Sequence, residues 1–401
     1  MFEVLFVVAL FVIAGGASCF VMYQLMWGCL YFLVNDNPSV TVEPCTRFLV
    51  LIPAHNEELI LETALRSWNT VQYPRTLFTV CVIADNSTDR TAEISRLSGA
   101  ICLERIDSEN RGKGQALAWA LKQLPLDDYD AVVFVDADCT VSSDFLAAMN
   151  ERLVRGARVI QGFDGVLNPD DSMMTRLMHI TNVMKNLLFS HAKSKLGLSV
   201  HLMGTGMCFD RMTLQQVAWK AFSIGEDLEQ FAHLAAAGIR VEFEPRAIAY
   251  AQEASSMGQA YSQRVRWASA RMQLLGVGSR LFLAGIRKHD FRMLDAGVSL
   301  LCPNYSMLAN VTLAGLFISL FVVSPPARNI LSCWFALLVA AQVLYFCMGI
   351  VVSRLSLKAL CSLGFAPVFL LWKLGVDVIA VLNLRRSLWV RTSRSPHGGK
   401  Q

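Results

Sequence analysis

The chain has 401 residues, of which 54% are hydrophobic and 17% charged, and its net charge is +4. A mean hydropathy of +0.42 is too apolar for an ordinary soluble enzyme, while the charged middle excludes a pure membrane bundle. So small a net charge does not indicate a nucleic-acid partner, and eleven scattered cysteines without a C-x-x-C pair indicate neither a zinc site nor a disulfide framework. Buried reduced thiols in a cytosol-facing protein are the simpler account.

Residues 1–34 carry a single charge, Glu3, in an apolar stretch longer than the roughly 20 residues needed to cross a bilayer. No basic leader and no clear cleavage site accompany it, and "GGASC" around Cys19 makes a poor lipoprotein box. The expectation is an uncleaved transmembrane helix within residues 1–35. From Thr46 to Met257 the pattern changes. Short β-rich runs (RFLVLIPA, FTVCVIA, ICLERI, AVVFVDAD) alternate with helical-period segments such as EELILETALRSW and GQALAWALKQL. Such alternation predicts right-handed βαβ units and a mostly parallel sheet covered on both faces. Ligands of such sheets sit at the carboxyl ends of the strands.

Basic residues crowd the segment 258–294 among Leu, Met, Phe and Trp, a mixture that suits an amphipathic helix in the headgroup plane. Residues 295–401 then form a C-terminal membrane region. Its runs 296–323 and 330–352 suit two spans. A third run, 359–382, contains Pro367, Lys373 and Asp377, and the basic tail NLRRSLWVRTSR follows it. A full third span would place that tail outside, against the positive-inside tendency, so a re-entrant or interfacial segment is expected.

The charges of the middle segment stand where burial should exclude them. "VVFVDADCTVSSDF" opens as a buried strand and then sets Asp136 and Asp138 on either side of one small residue. Two carboxylates so spaced suit one hard cation, Mg2+ or Mn2+, with substrate phosphates completing its shell; the alternative is a turn before a helix N-cap. "IADNSTDRT" ends another β-run with Asp85, Asn86 and Asp89. A carboxylate there can accept hydrogen bonds from a nucleobase or ribose, and Asp89 can equally cap the next helix. "ENRGKGQAL" places Arg111 and Lys113 between glycines at a helix start, which favours a phosphate if the free N–H groups and Lys113 act together and is otherwise a flexible turn. "SIGEDLEQFAHL" puts Glu226 and Asp227 at a helix entrance, where acids also serve as caps. "YSQRVRWASARMQLL" offers Gln263, Arg266 and Trp267 close together, either as a membrane-surface helix or as a phosphate clamp beside an aromatic platform.

In order, PAHNEE, ADNSTD, GKGQA, DAD, GTGMCF, GED and QRVRW resemble the family 2 glycosyltransferases. The resemblance is greatest to the membrane-embedded group with cellulose, hyaluronan, chitin-oligosaccharide and poly-N-acetylglucosamine synthases, and it covers about residues 47–271. It implies an α/β fold, a GT-A (Rossmann-like) nucleotide-sugar domain over residues 46–257 flanked by transmembrane helices. It further implies that Pro53, Glu57 and Asp85 line a uridine pocket, that Lys113 and Asp136 lie near the diphosphate, and that Asp138, with Asp136, binds the metal. Asp227 would be the catalytic base with Glu226 beside it. Gly204 and Thr205 would belong to the loop flanking the acceptor, Gln263 and Arg266 would hold the pyrophosphate, and Trp267 would stack on the acceptor sugar. Two departures stand out: Ala84 replaces the first of two paired acids, and the acceptor loop reads GTGMC, so no glucan product is carried over.

The activity implied is inverting transfer from a nucleotide-sugar, a UDP-sugar by resemblance, to a growing β-linked polysaccharide. The catalytic domain would be cytoplasmic in a multi-pass protein of the plasma or inner membrane, with Mg2+ or Mn2+ as cofactor and polysaccharide-export subunits as partners. Transfer of a single sugar to a membrane lipid is the alternative. A catalytically silent scaffold is disfavoured, since every acid and the QxxRW sequence are present.

Overall fold

The runs at 48–54, 78–85 and 131–134 are apolar residue after residue, as strands buried on both faces must be. In the computed structural model, which describes residues 2–34, 42–354 and 361–382, they become β1 (Phe48–Ala54), β2 (Phe78–Asp85) and β4 (Ala131–Phe134), with β3 (Ile101–Arg105) between the last two in sequence. The remaining strands are β5 (Cys139–Val141), β6 (Val159–Val166), β7 (Met207–Asp210) and β8 (Val241–Ala251). Together they form one eight-stranded sheet in the order β3-β2-β1-β4-β7-β6-β8-β5.

The expected parallel pairing holds for β3-β2-β1-β4 and for β6 with β8. However, β7 inserts antiparallel between β4 and β6, and β5 pairs antiparallel with β8, so the sheet is mixed. The insertion matters for the site. Phe134 pairs with Met207, so the chain leaving β4 and the chain entering β7 meet at one edge. The DAD and GTG segments are thereby brought together.

Helices cover both faces: α1 (Phe2–Tyr31), α2 (Leu61–Ser67), α3 (Thr91–Leu97), α4 (Lys113–Gln123), α5 (Phe145–Val154) and α6 (Met173–Val183), which continues through a π-helical stretch into α7 (Ala192–Lys195). There follow α8 (Arg211–Gln216), α9 (Glu226–Ala236), α10 (Met257–Gln273), α11 (Leu275–Lys288), α12 (Phe291–Leu301), α13 (Tyr305–Phe321), α14 (Ala327–Ser353) and a last helix, Ala366–Leu382. Odd and even positions of β1 serve opposite layers. Leu49 and Leu51 pack with Leu117 of α4 and Phe231 of α9, whereas Val50 and Ile52 pack with Leu65 of α2 and Phe145 of α5.

Among the described residues three helices are long and apolar enough to cross a membrane: Glu3–Tyr31, Ala327–Ser353 and Leu363–Leu382. The run 296–323, expected as one span, is instead broken, α12 and α13 meeting at 65°. Pro303 lies in the break; it cannot donate a helical hydrogen bond, and it drives the preceding Cys302 into extended backbone (ψ 119°). The third run, expected to be re-entrant or interfacial, is helical and packs along α10, with Ser269 Oγ donating to the carbonyl of Ala380.

The segment 258–294 is divided among α10, α11 and the start of α12. α11 and α12 form a hairpin so close that a Cβ on Gly285 would lie 2.5 Å from the Leu294 amide nitrogen. The hairpin buries Leu281, Met293 and Leu300 in the same core as Phe231 and Leu234 of α9. Of its cations, Arg264 is bound to Glu253 at 2.7 Å and Arg271 donates to the carbonyl of Cys302. Both are structural rather than surface anchors. Arg280, Arg287, Lys288 and Arg292 are exposed. The tail with Arg385, Arg386, Arg391 and Arg394 lies outside the described residues.

Candidate active site

β4 delivers the first acid. Past its end the Val135 amide still donates to Leu51 of β1 at 3.1 Å, and the next amide, that of Asp136, donates to Thr205 Oγ1 at 3.2 Å. Thr205 lies between Gly204 and Gly206, whose φ angles of +82° and +66° favour glycine. This loop is held from below by a residue that the sequence reading did not single out. Gln161 of β6, fully buried, accepts from the Met203 amide at 2.8 Å and donates to the Thr205 carbonyl at 2.8 Å. A buried glutamine inside a β-rich run is the one sequence signal that could have marked it.

Lys113 gathers the acids. It begins α4, and the next residue must be glycine, because a Cβ on Gly114 would lie 2.1 Å from the Ala221 carbonyl oxygen. Its ammonium stands 2.5 Å from Asp136 Oδ1 and 3.4 Å from Glu226 Oε1, and it donates to the Gly204 carbonyl at 2.7 Å. Burial alone would lower its pKa, but Asp136 and Glu226 outweigh that and hold it above the usual lysine range.

Glu226 and Asp227 open α9. The N-cap position is Gly225, which has no side chain to cap the helix, while Glu229 accepts from the amides of Phe222 and Ser223, upstream of the helix, at 2.9 and 2.8 Å. Glu226 faces Lys113 and Asp227 faces Gly204, which places both at the site. Burial pushes Glu226 up to about 7, against the opposing pull of Lys113. It raises Asp227 as well, although Asp227 Oδ1 accepts from the Leu228 amide at 2.8 Å. A Cβ placed on Gly204 would lie 3.6 Å from Asp227 Oδ2, so the other carboxylate oxygen faces the loop proposed to flank the acceptor.

A second group of the expected residues assembles at the ends of β1 and β2. Pro53 pairs in register with Ile83, and His55 Nδ1 lies 2.7 Å from the Asp85 carbonyl oxygen. Glu57 follows, its amide donating to Thr91 Oγ1 at 2.9 Å. Asp85 is almost buried, which raises its pKa although Arg105 Nη1 stands 2.6 Å from its Oδ1. Arg105, at the end of β3, also holds Asp107 at 2.8 Å; the sequence reading missed it, because it meets Asp85 only through the pairing of β2 with β3. Ala84, the departure from the paired acids, is 3% exposed opposite Ala54. A carboxylate would be buried there without need.

Asp138 is half-buried, and its Oδ1 accepts from the Cys139 thiol at 3.5 Å. Among the described residues no group of three or more His, Cys, Asp or Glu is placed to hold a metal alone. Asp136 and Asp138 are oxygen donors one residue apart, of the type that hard cations take.

Gln263, Arg266 and Trp267 lie on α10, and no hydrogen bond joins Gln263 or Arg266 to the Lys113 cluster among the described residues. Their helix nevertheless abuts the start of α9, since a Cβ on Gly225 would lie 3.1 Å from Ala270 Cβ and 3.5 Å from Leu274 Cδ1. Positions 263, 266, 267, 270 and 274 share one helical stripe. On that stripe Trp267 is exposed, while Gln263 and Arg266 are half-buried. Trp267 is 43% exposed, with the Arg264 guanidinium 4.6 Å from its ring centre.

The family model described as "Glycosyltransferase like family 2" matches residues 44–270. The chain is 28% identical over 229 residues to a "Probable glycosyltransferase YdaM" of Bacillus subtilis (strain 168), covering 55% of this chain and 54% of that protein. It is 25% identical over 270 residues to a "Poly-beta-1,6-N-acetyl-D-glucosamine synthase" of Staphylococcus aureus (strain COL), covering 64% of each. The matches thus span between about half and two-thirds of these relatives. A mannosyltransferase, PcManGT of Pyrobaculum calidifontis, solved in complex with GDP-Man and Mn2+, shares the fold at a TM-score of 0.56 and 20% identity, over 84% of this chain and 98% of that one.

Proposed function

The chain belongs to the glycosyltransferase like family 2, its soluble part having the GT-A fold between apolar helices, and from that premise we propose that it is a membrane polysaccharide synthase. It transfers a sugar from a UDP-sugar, with inversion, to a growing β-linked chain at the cytoplasmic face of the membrane. The observation that carries this reading is the Lys113 ammonium, which joins Asp136, Glu226 and the Gly204 carbonyl. One cation ties together the donor, acceptor and base segments.

In this reading Pro53, Glu57 and Asp85 receive the uridine, Asp85 being set by Arg105. Lys113, Gln263 and Arg266 face the diphosphate. Asp136 and Asp138 would hold Mg2+ or Mn2+, which supplies charge neutralisation of the departing diphosphate. Asp227 takes the proton of an acceptor hydroxyl as that oxygen bonds to the anomeric carbon. The bond from that carbon to the diphosphate oxygen breaks, and its electron pair leaves with UDP. A single displacement inverts the anomeric centre. Trp267 offers its exposed face to the acceptor ring, and the Gly204–Thr205 backbone borders it.

The name of the staphylococcal relative makes UDP-N-acetylglucosamine the first donor to test. The purified full chain in lipid nanodiscs, given a panel of UDP-sugars with Mg2+ or Mn2+, should release UDP and build polymer of increasing length. Release of UDP with one sugar added to lipid would replace the polymerase reading by lipid glycosylation. No turnover with any donor would remove both.

A further inference from the structure

A cavity of about 740 Å³ opens on the side of the domain that meets α1, and none of the residues proposed for catalysis lines it. Its floor is apolar. Trp27, Leu198, Ile239 and Met293 line it, each less than a tenth exposed. Its rim carries the cations Arg240 and Arg292 and the imidazole of His289. The carboxylate of Asp290, which also lines it, is engaged by the amides of Arg292 and Met293 at 3.0 and 3.1 Å, and Arg240 is shared with Glu242. Arg292 is exposed and has no ion pair among the described residues, and the same α11–α12 turn exposes Arg287 and Lys288 as well. Beside these cations Phe291 is 68% exposed, a large apolar side chain on a basic rim.

Its depth in the molecule identifies what suits it. α1 is long and apolar enough to cross a membrane, and Trp27 lies one turn before its domain end at Tyr31. Aromatic residues so placed mark the headgroup layer. An apolar floor under a cationic rim at that layer matches a phosphodiester carrying net negative charge with acyl chains attached. The volume lies within the range of pockets that bury a small molecule, about 300–1,000 Å³. We infer that the cavity is a binding site for an anionic phospholipid, its phosphate at Arg292 and His289 and its upper acyl chain against Trp27 and Phe291. The site also borders Ala235, near the last turn of α9, whose first turn carries Glu226 and Asp227. Occupancy would brace the catalytic helix against α1.

The inference is independent of the sugar chemistry, and its test reads lipid without turnover. The full chain in detergent is mixed with equal amounts of phosphatidylglycerol and phosphatidylcholine, repurified, and its bound lipid counted by native mass spectrometry. Phosphatidylglycerol should be retained in preference. Arg292→Glu reverses one rim charge and should lower that retention roughly tenfold or more, each unit charge near an anionic lipid being worth about fivefold. Arg280→Glu, exposed on α11 outside the cavity, should retain it. Equal retention of both lipids, an unchanged Arg292→Glu protein, or displacement of the bound lipid by millimolar inorganic phosphate would each overturn the assignment.

Discussion

Glu226 and Asp227 are neighbouring carboxylates at a helix N-terminus, where the dipole favours negative charge, yet burial raises the pKa of both. Lys113 opposes that rise. If Asp227 is the base, Asp227→Asn should bind UDP-sugar with near-normal affinity and lose transfer by about 10²–10⁴-fold, the usual share of a positioned base. Calorimetric donor binding with a turnover assay checks both halves, and substantial residual turnover would move the base to Glu226. The pH dependence follows from the same shifts. A base must be ionised to act, and a raised pKa means that it keeps its proton to higher pH. kcat/KM should therefore fall on the acid side above the ordinary carboxylate range of about 4, the direction in which burial moves Asp227. Lys113 favours the ionised forms, so Lys113→Met should shift the acid limb further up in pH. An acid limb that stays in place in this variant would mean that Lys113 does not face the base.

At the scale of elements, the acceptor loop depends on Gln161. Gln161→Leu keeps the bulk but leaves the Met203 amide and the Thr205 carbonyl buried without their partner, at about 1–3 kcal/mol for each. The melting temperature should drop. If the loop flanks the acceptor rather than the uridine, as proposed, the KM for acceptor should rise and kcat fall while the KM for donor changes little. Equal damage to both KM values would indicate general unfolding instead of a displaced loop. α10 gives a second contrast. Arg266→Ala should weaken UDP binding and Trp267→Ala should impair acceptor use, whereas Arg280→Ala, exposed on the next helix, should do little; titration of UDP and of acceptor separates them. Identical behaviour of all three would reduce α10 to a structural helix. The local elements were legible because their causes are local: the apolar runs of β1, β2 and β4, and the glycines flanking Lys113. Arg105 against Asp85 and Gln161 beneath Gly204 were not, because each contact arises from strand pairing between distant segments.

For the whole molecule, the order of motifs along the sequence was enough to anticipate the fold and the residues that meet at Lys113, whereas the membrane-proximal half followed its sequence pattern less closely. Apolar periodicity alone does not separate a bilayer-facing surface from one packed on a domain, so the sequence did not reveal that the α11–α12 hairpin joins the core through Leu281 and Met293. The last apolar helix presents the same ambiguity. Lys373 and Asp377 within it form a buried ion pair, which removes much of the cost that two separate charges would meet in lipid. Its packing argues for a place beside the domain. Phe369 shares a cluster with Ala260 and Met178, and Ala380 accepts from Ser269, so the helix runs alongside α10 in the same direction over its length. α10 is the polar helix that carries Gln263 and Arg266. We propose that a helix held along it stays at the cytoplasmic surface instead of crossing the bilayer, which would keep the basic tail that follows inside, as the positive-inside tendency requires. A reporter fused after Gln401 should therefore be active only when the reporter is one that works in the cytoplasm, and a fusion after Ser324, between α13 and α14, only when it is one that works outside. Activity of the external reporter at Gln401 would make the last helix a true span and place the tail across the membrane from the active site.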